Sequence, residues 1–452
     1  MELKGKRIGI IGLGKRTGVV SAKVLVKMGA QVVVSDVKPA HKLKEELDLL
    51  RGISGISYDL GGHTEKVLDV DLILVSPGVP LEIPILKEAK KRGIEVIGEI
   101  ELSYRLSKAP FIAITGTNGK TTTTSLLGQL LKTYPHRVFV GGNIGRPLIG
   151  EILNLKPNDL VVAEVSSFQL ETVKEFHPEI ALFLNFTQDH LDRHKSIEAY
   201  LKAKMNIFKN QTEEDYIILN ADDQTLCKIA SEVPSKIIWF SRQKKRLPGM
   251  YLDGNMMVCH MSEKPEELLL IDELKIRGDH NVENALAASA AAVLKGISLS
   301  DIRESLRNFK GQEHTLEYVL THRGVQYYND SKATNPDASM KALTAFHEPV
   351  VLIAGGLDRK LDFTEFIKLV VKKVKALILI GETREKLKKL ALEYGFSGRI
   401  EITEELKEAV QLAQKFSEPG DVVLLSPACA SWDMFESYAE RGCLFKEYVR
   451  SL

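Results

Sequence analysis

The strongest chemical signal in the chain is Thr115-Gly116-Thr117-Asn118-Gly119-Lys120-Thr121-Thr122, a Gly-rich turn between the apolar run Phe111 to Thr115 and a helix-forming segment. Residues of these types at this spacing can hold the phosphates of a nucleoside triphosphate. Gly116 and Gly119 let backbone N–H groups turn inward on phosphate oxygens, and the following helix adds the positive end of its dipole. Lys120 can then reach the β and γ phosphates, and the Thr121 hydroxyl can ligate Mg2+. The common pattern G-x-x-x-x-G-K-[ST] would place Gly at 114, where this chain has Ile114, so the loop is a shortened variant. A second Gly-rich stretch, Gly12-Leu-Gly14-Lys-Arg-Thr-Gly18, follows another apolar run, and Asp36 ends the next one. It departs from G-x-G-x-x-G because its third glycine comes one residue late. Two readings fit it: a bound diphosphate with a ribose-like hydroxyl on Asp36, or a purely structural turn.

These loops need strands behind them and helices after them. Short β-branched runs alternate with polar, helix-periodic stretches: Arg7 to Ile11, Gln31 to Ser35, Asp71 to Val75, Phe111 to Thr115, Leu160 to Val165 and Ile180 to Asn185. The alternation predicts an α/β chain with parallel sheets and covering helices. It pauses at Ser103 to Pro110 and changes again at Lys310 to His314. Val325 to Tyr328, Val350 to Ala354, Ala376 to Ile380 and Asp421 to Ser426 then read as another strand set. Domain boundaries are therefore expected near residues 108 and 311. Lys236 to Leu274, with turn signals at Leu247-Pro248-Gly249 and Asp253-Gly254, reads as antiparallel hairpins. The basic run Arg242 to Arg246 reads as a solvated turn.

The composition narrows the function. A chain of 452 residues accommodates about three domains of ordinary size. Lys plus Arg is 61 against 60 Asp plus Glu, and a net charge of +1 supplies no field for gripping nucleic acid. Cys227, Cys259, Cys429 and Cys443 show no zinc-ligand spacing and read as reduced thiols. No apolar run approaches the roughly 18 residues of a membrane helix, and no export signal is visible. The expectation is a cytoplasmic protein that neither enters a membrane nor binds nucleic acid.

The phosphate loop, together with four further blocks in order, resembles the Mur ligase family, ATP-dependent enzymes that add amino acids to the peptidoglycan precursor. The blocks are Glu164-Val-Ser-Ser-Phe-Gln-Leu-Glu171, Asn185-Phe-Thr-Gln-Asp-His190-Leu-Asp192, Gly278-Asp-His-Asn281-Val-Glu-Asn284, and Asn329-Asp-Ser-Lys-Ala-Thr334-Asn335. The last block and Leu425-Ser-Pro-Ala-Cys-Ala-Ser-Trp-Asp433 look most like the D-glutamate-adding branch. The resemblance spans essentially the whole chain and implies three domains. A Rossmann-like N-terminal domain (1–108) would hold the uridine nucleotide, and a P-loop ATPase-like central domain with a small antiparallel addition (109–310) would hold ATP. A Rossmann-like C-terminal domain (311–452) would bring the amino acid.

The implied substrates are ATP, UDP-N-acetylmuramoyl-L-alanine and D-glutamate, joined by a monomer through an acyl phosphate. The resemblance assigns Gly116, Thr117, Asn118, Gly119, Lys120, Thr121 and Thr122 to the ATP phosphates, Asn281 and Asn284 to adenine, and Asp330 to ribose. It assigns two Mg2+ sites to Thr121, Glu164, His190 and Lys204. Lys204 matches the family's carbamylated lysine, because an amine of pKa near 10.4 is cationic, whereas the carbamate formed with CO2 is an anion that can ligate metal. Asn143, Ser166 and Gln169 match contacts to the muramoyl peptide, and Thr17, Asp36, Ser76 and Gly78 match contacts to the uridine diphosphate. Lys332, Thr334, Arg359, Ser431 and Tyr438 match the D-glutamate pocket, where Arg359 replaces a lysine of some relatives and brings a forked cation.

The chain departs from the family at Thr315, where an arginine that meets the γ phosphate is usual. The contact is either lost or supplied by Lys332 or Arg277. Closure of the C-terminal domain on the central one is expected from the chemistry. The competing readings are another Mur ligase, a folylpolyglutamate synthase, a non-catalytic nucleotide-binding module, and an NAD-dependent dehydrogenase. The last would leave Lys120, Glu164, His190 and Asp330 without a role.

Overall fold

The apolar runs become strands buried on both faces, as parallel sheets covered by helices require. The computed structural model of the chain describes residues 1–189 and 191–452, the side chains of 191 and 192 excepted. Its first sheet holds β1 (Arg7–Ile11), β2 (Gln31–Asp36), β3 (Ile56–Leu60), β4 (Leu72–Val75) and β5 (Glu95–Gly98), all parallel, in the order β3-β2-β1-β4-β5.

The second sheet is built from β6 (Phe111–Thr115), β7 (Val138–Gly142), β8 (Leu160–Glu164), β9 (Ile180–Phe183), β10 (Tyr216–Asn220), β11 (Lys236–Ser241), β12 (Gly249–Asp253), β13 (Met256–His260) and β14 (Glu266–Leu270). Its order is β14-β13-β12-β11-β10-β9-β6-β8-β7. The third sheet comprises β15 (Glu317–His322), β16 (Val325–Asn329), β17 (Val350–Gly355), β18 (Val374–Ile380), β19 (Arg399–Ile402) and β20 (Val422–Leu425), in the order β15-β16-β20-β17-β18-β19. Only its edge strand β15 runs antiparallel.

By its internal contacts the chain divides into two compact units, residues 1–270 with 283–305, and residues 271–282 with 306–452. The first carries two sheets and the second carries one. One core cluster in the first unit draws on both of its sheets, and helix Glu99–Leu106 supplies part of the reason. Glu99 on that helix accepts from the Ile149 amide at 2.8 Å, and fully buried Glu101 accepts from the amides of Lys174, Glu175 and Phe176. Tyr104 joins Phe111 and Phe176 in an edge-to-face trio with centroids 5.7 Å apart. Truncating either buried phenylalanine to alanine should cost about 3–5 kcal/mol.

Lys236 to Leu274 forms hairpins only in part. β12, β13 and β14 are antiparallel, with Asp253 opposite Met256 around Gly254, but β11 and β12 pair in parallel. Gly249 allows this, because a Cβ there would lie 2.3 Å from the Trp239 carbonyl oxygen. The exposed basic turn before it is partly laid on the sheet, with the Arg246 guanidinium 3.6 Å from the centre of the Trp239 ring.

Candidate active site

β6 delivers the phosphate loop, and helix Lys120–Leu130 leaves it. Gly119 is left-handed at φ +81°, and a Cβ there would meet Asn284 Oδ1 at 2.3 Å, so the turn admits only glycine. Asn284 is held by Thr123 Oγ1 at 3.1 Å. The loop is clasped from the segment after β9. Asn185 Oδ1 accepts from the Asn118 amide at 2.8 Å, Asn185 Nδ2 donates to the Asn118 carbonyl at 3.1 Å, and the Thr117 hydroxyl donates to the Thr187 carbonyl at 3.1 Å. Lys120 Nζ folds back to the carbonyls of Gly116 and Thr117, both at 2.9 Å. Thr121 sits one residue into the helix, and Thr122 follows it.

Glu164 ends β8 beside this loop, in register with Ile114 of β6, and is 1% exposed. Asn143, just past β7, donates from Nδ2 to Glu164 Oε1 at 2.7 Å, while Oε2 is buried without a hydrogen-bond partner among the described residues. A buried carboxylate oxygen without a donor is costly unless a cation meets it. This acidic oxygen next to a phosphate loop therefore fits a divalent cation with oxygen ligands.

Lys204, near the end of helix Ile197–Met205, is 1% exposed and donates to the Gly116 carbonyl at 2.7 Å. Burial, reinforced by the Lys120 charge, pulls its pKa down to about 6. The amine is therefore largely neutral at pH 7, the form able to attack CO2. His190 lies outside the described residues.

The first sheet places the proposed uridine residues at the carboxyl ends of its strands. Its order turns at β1, between β2 and β4, where such sheets open a crevice. Thr17 precedes helix Gly18–Lys27, and Ser76 and Gly78 follow β4. The late third glycine has a packing reason, since a Cβ on Gly18 would lie 2.7 Å from the Gly12 carbonyl oxygen. Asp36 shapes the loop, with Oδ2 accepting from the Leu13 amide at 2.7 Å and Oδ1 from the Lys38 amide at 2.9 Å. Ser76 Oγ donates to the Gly12 carbonyl at 2.6 Å. Ser166 and Gln169 form a reciprocal capping box at the start of helix Ser167–Leu170.

In the second unit, Asp330 follows β16 and accepts from Ser426 Oγ at 2.7 Å and from the Leu316 amide at 3.1 Å. Burial pushes its pKa up to about 7. Lys332 is exposed and Thr334 half-buried. The Arg359 guanidinium lies 5.1 Å from the centre of the exposed Trp432 ring. Ser431 is buried, and the Tyr438 carbonyl accepts from Ser331 Oγ at 2.8 Å. Asn281 Nδ2 donates to the Arg277 carbonyl at 2.7 Å.

Arg277 itself is committed elsewhere. It pairs with Glu348, donates to Gln326 at 2.8 Å and lies over the rings of Tyr328 and Phe346. The hydroxyl of Thr315 is buried without a partner among the described residues.

Sequence reasoning singled out neither Arg16 nor Arg441. Arg16 reaches from the first Gly-rich loop to the carbonyls of Gly142, Asn143 and Gly145 at 2.8–3.1 Å. Arg441, fully buried, donates to Ser331 Oγ and to the carbonyls of Ser331 and Cys429 at 2.9–3.1 Å, tying the block 329–335 to the block 425–433. Neither had a local signal, because each acts on carbonyls far away in the chain. Asn185 lay within a recognised block without a role of its own.

Comparison with known proteins gives the family of the chain. Three family models match: the Mur ligase MurD-like N-terminal domain over residues 6–98, the Mur ligase middle domain over 114–292, and the Mur ligase glutamate ligase domain over 316–429. The UDP-N-acetylmuramoylalanine–D-glutamate ligase of Caldanaerobacter subterraneus subsp. tengcongensis is 49% identical over 454 residues, covering 100% of both chains. That of Clostridioides difficile is 45% identical over 453 residues, again covering 100% of both. Among solved structures, MurF from Acinetobacter baumannii matches with a TM-score of 0.61 at 17% identity, covering 97% of this chain and 93% of its own. UDP-N-acetylmuramate-alanine ligase from Thermotoga maritima matches at 0.58 and 21%, covering 99% of each. At these identities the structures speak for the fold alone.

Proposed function

The chain belongs to the Mur ligase family, and from that premise we propose that it joins D-glutamate to the alanyl carboxylate of UDP-N-acetylmuramoyl-L-alanine with hydrolysis of ATP. Enzymes of this family are ATP-dependent amide ligases that use Mg2+. Full-length identity of 45–49% to D-glutamate ligases supports the choice of amino acid and acceptor. The observation that carries the chemistry is Glu164, a buried carboxylate with one oxygen steered by Asn143 and the other left for a cation, at the mouth of the phosphate loop.

The first step transfers the γ-phosphoryl group to the acceptor carboxylate. Two anions must meet, so the residues around them have to supply positive charge and fixed geometry. The loop amides and Lys120 hold the phosphates. Asn143, Ser166 and Gln169 orient the muramoyl peptide, and Thr17, Asp36, Ser76 and Gly78 anchor its uridine diphosphate end. Thr121, Glu164, His190 and the carbamate of Lys204 would hold Mg2+, which when bound neutralises the charge that builds up on the transferring group. In the second step the amine of D-glutamate attacks the acyl phosphate, and phosphate leaves through a tetrahedral intermediate.

Lys332, Thr334, Arg359, Ser431 and Tyr438 would hold the two carboxylates of D-glutamate and select its stereoisomer. Asn281 and Asn284 would contact adenine and Asp330 the ribose. With Arg277 held by Glu348, Lys332 is the better candidate to meet the γ phosphate in place of the arginine that Thr315 replaces. The reading is of a cytoplasmic enzyme acting as a monomer of three domains bounded near residues 108 and 311.

Phosphate release from ATP tests the reading, with UDP-N-acetylmuramoyl-L-alanine as acceptor and D-glutamate, L-glutamate, L-lysine, meso-diaminopimelate or no amino acid. Release with D-glutamate alone is expected. Release with a different amino acid would overturn the assignment of the second unit's pocket, and the absence of release with any of them would overturn the acceptor.

A further inference from the structure

A chain of contacts beside the acceptor segment has no task in the reaction as described so far. Arg193 Nη2 donates to the Val79 carbonyl oxygen at 2.9 Å and to Glu171 Oε2 at 3.1 Å. The other Glu171 oxygen lies 3.3 Å from His194 Nδ1, and His194 Nε2 lies 2.9 Å from Ser167 Oγ. A carboxylate at Nδ1 favours the tautomer protonated there, so Nε2 accepts from the Ser167 hydroxyl.

The Phe168 ring stacks on His194 with centroids 5.3 Å apart and carries the Arg193 guanidinium 5.5 Å from its centre. Beyond His194, Tyr200 lies 5.1 Å away, ring to ring, and its hydroxyl donates to Thr117 of the phosphate loop at 3.4 Å.

The two ends of this chain are informative. Val79 follows Ser76 and Gly78, assigned above to the uridine diphosphate, whereas Ser167 stands between Ser166 and Gln169, assigned above to the muramoyl peptide. Ser76, Val79, Phe168, Gln169 and Arg193 also line one small cavity. We propose that Arg193, Glu171 and His194 are positioning residues that couple the uridine-binding loop to the segment holding the acceptor carboxylate. Binding of the remote end of the substrate thereby sets the attack geometry. Remote binding energy raises kcat only when it is converted into such placement, and a misplacement of about 1 Å can cost about 100-fold in rate.

The proposal rests on the acceptor assigned above. Its test compares kcat for UDP-N-acetylmuramoyl-L-alanine and for 1-phospho-N-acetylmuramoyl-L-alanine, which lacks uridine, in the full-length enzyme and in Arg193→Ala, Arg193→Lys and His194→Gln. Wild type should lose about 100-fold in kcat on truncation of the acceptor, whereas Arg193→Ala should lose about as much with the intact acceptor and little more on truncation. Arg193→Lys, which keeps a cation for Glu171, should recover part of the loss. KM for ATP and D-glutamate should stay within about twofold, because none of Arg193, Glu171 and His194 is among the residues assigned above to either. Glu171→Gln serves as the second probe if Arg193→Ala does not fold.

Equal truncation factors in wild type and variants, or no truncation effect on kcat in wild type, would overturn the coupling. A wild-type enzyme inactive on the intact nucleotide but active on another acceptor would instead overturn the assigned function, and this proposal with it.

Discussion

Lys120 and Lys204 share one acceptor, the Gly116 carbonyl oxygen, at 2.9 and 2.7 Å. Two ammonium groups on one carbonyl repel each other, and Lys204 is the more deeply buried, so it is the one that gives up its proton. This explains in physical terms why a lysine stands where a metal ligand is expected. Addition of 13C-bicarbonate should give a carbamate resonance in wild type that is missing in Lys204→Ala, and that variant should lose about 100-fold or more in kcat. A fully active Lys204→Ala enzyme in bicarbonate-free buffer would refute the carbamate.

The Glu164 and Asn143 pair predicts two graded effects. Glu164→Gln removes the anionic oxygen and should lower kcat by about 100- to 1,000-fold. Asn143→Ala leaves the carboxylate in place but unsteered, and should raise the Mg2+ concentration needed for half-maximal phosphate release by about 10- to 100-fold. Magnesium titrations of both variants separate ligand from orienter.

Asp330 predicts a pH dependence of stability. Its pKa is about 7 in the folded chain against 3.8 ordinarily. The folded protein therefore keeps a proton that the unfolded chain has released between those values, so stability falls as pH rises through that window and levels off above it. Asp330→Asn should flatten this segment, a difference on the order of a few kcal/mol between about pH 4 and pH 7. Denaturant unfolding of both proteins across that range measures it.

Gly442 is fixed by packing, since a Cβ there would lie 2.2 Å from His314 Nδ1 and 3.0 Å from Asn329 Nδ2. Gly442→Ala should destabilise the protein by about 1–3 kcal/mol, seen as a lower denaturant midpoint. Gly14→Ala, whose Cβ would meet nothing within 4 Å, should leave the midpoint nearly unchanged.

Much of the fold was legible because its signals are local. Arg7–Ile11 and Phe111–Thr115 emerged as strands with the expected bounds, since a parallel strand buried on both faces must be apolar throughout. Ile56–Leu60 and Arg399–Ile402, half exposed and mixed in composition, carry no such signal, and sequence reasoning passed over them. The parallel pairing of β11 with β12 was likewise illegible, because it brings Gly249 against a carbonyl ten residues away, a contact no local pattern announces.

The same division holds for the site. By themselves, the residue types at 115–122 pointed to a phosphate site, because a Gly-rich turn, a lysine and a hydroxyl in succession supply the donors such a site needs. Only the tertiary structure decided that burial lowers the Lys204 pKa to about 6, that one buried Glu164 oxygen has no hydrogen-bond partner among the described residues, and that Arg277 is spent on Glu348. Charge state and partner choice depend on burial and on groups brought from distant parts of the chain, and no run of neighbouring residues encodes either.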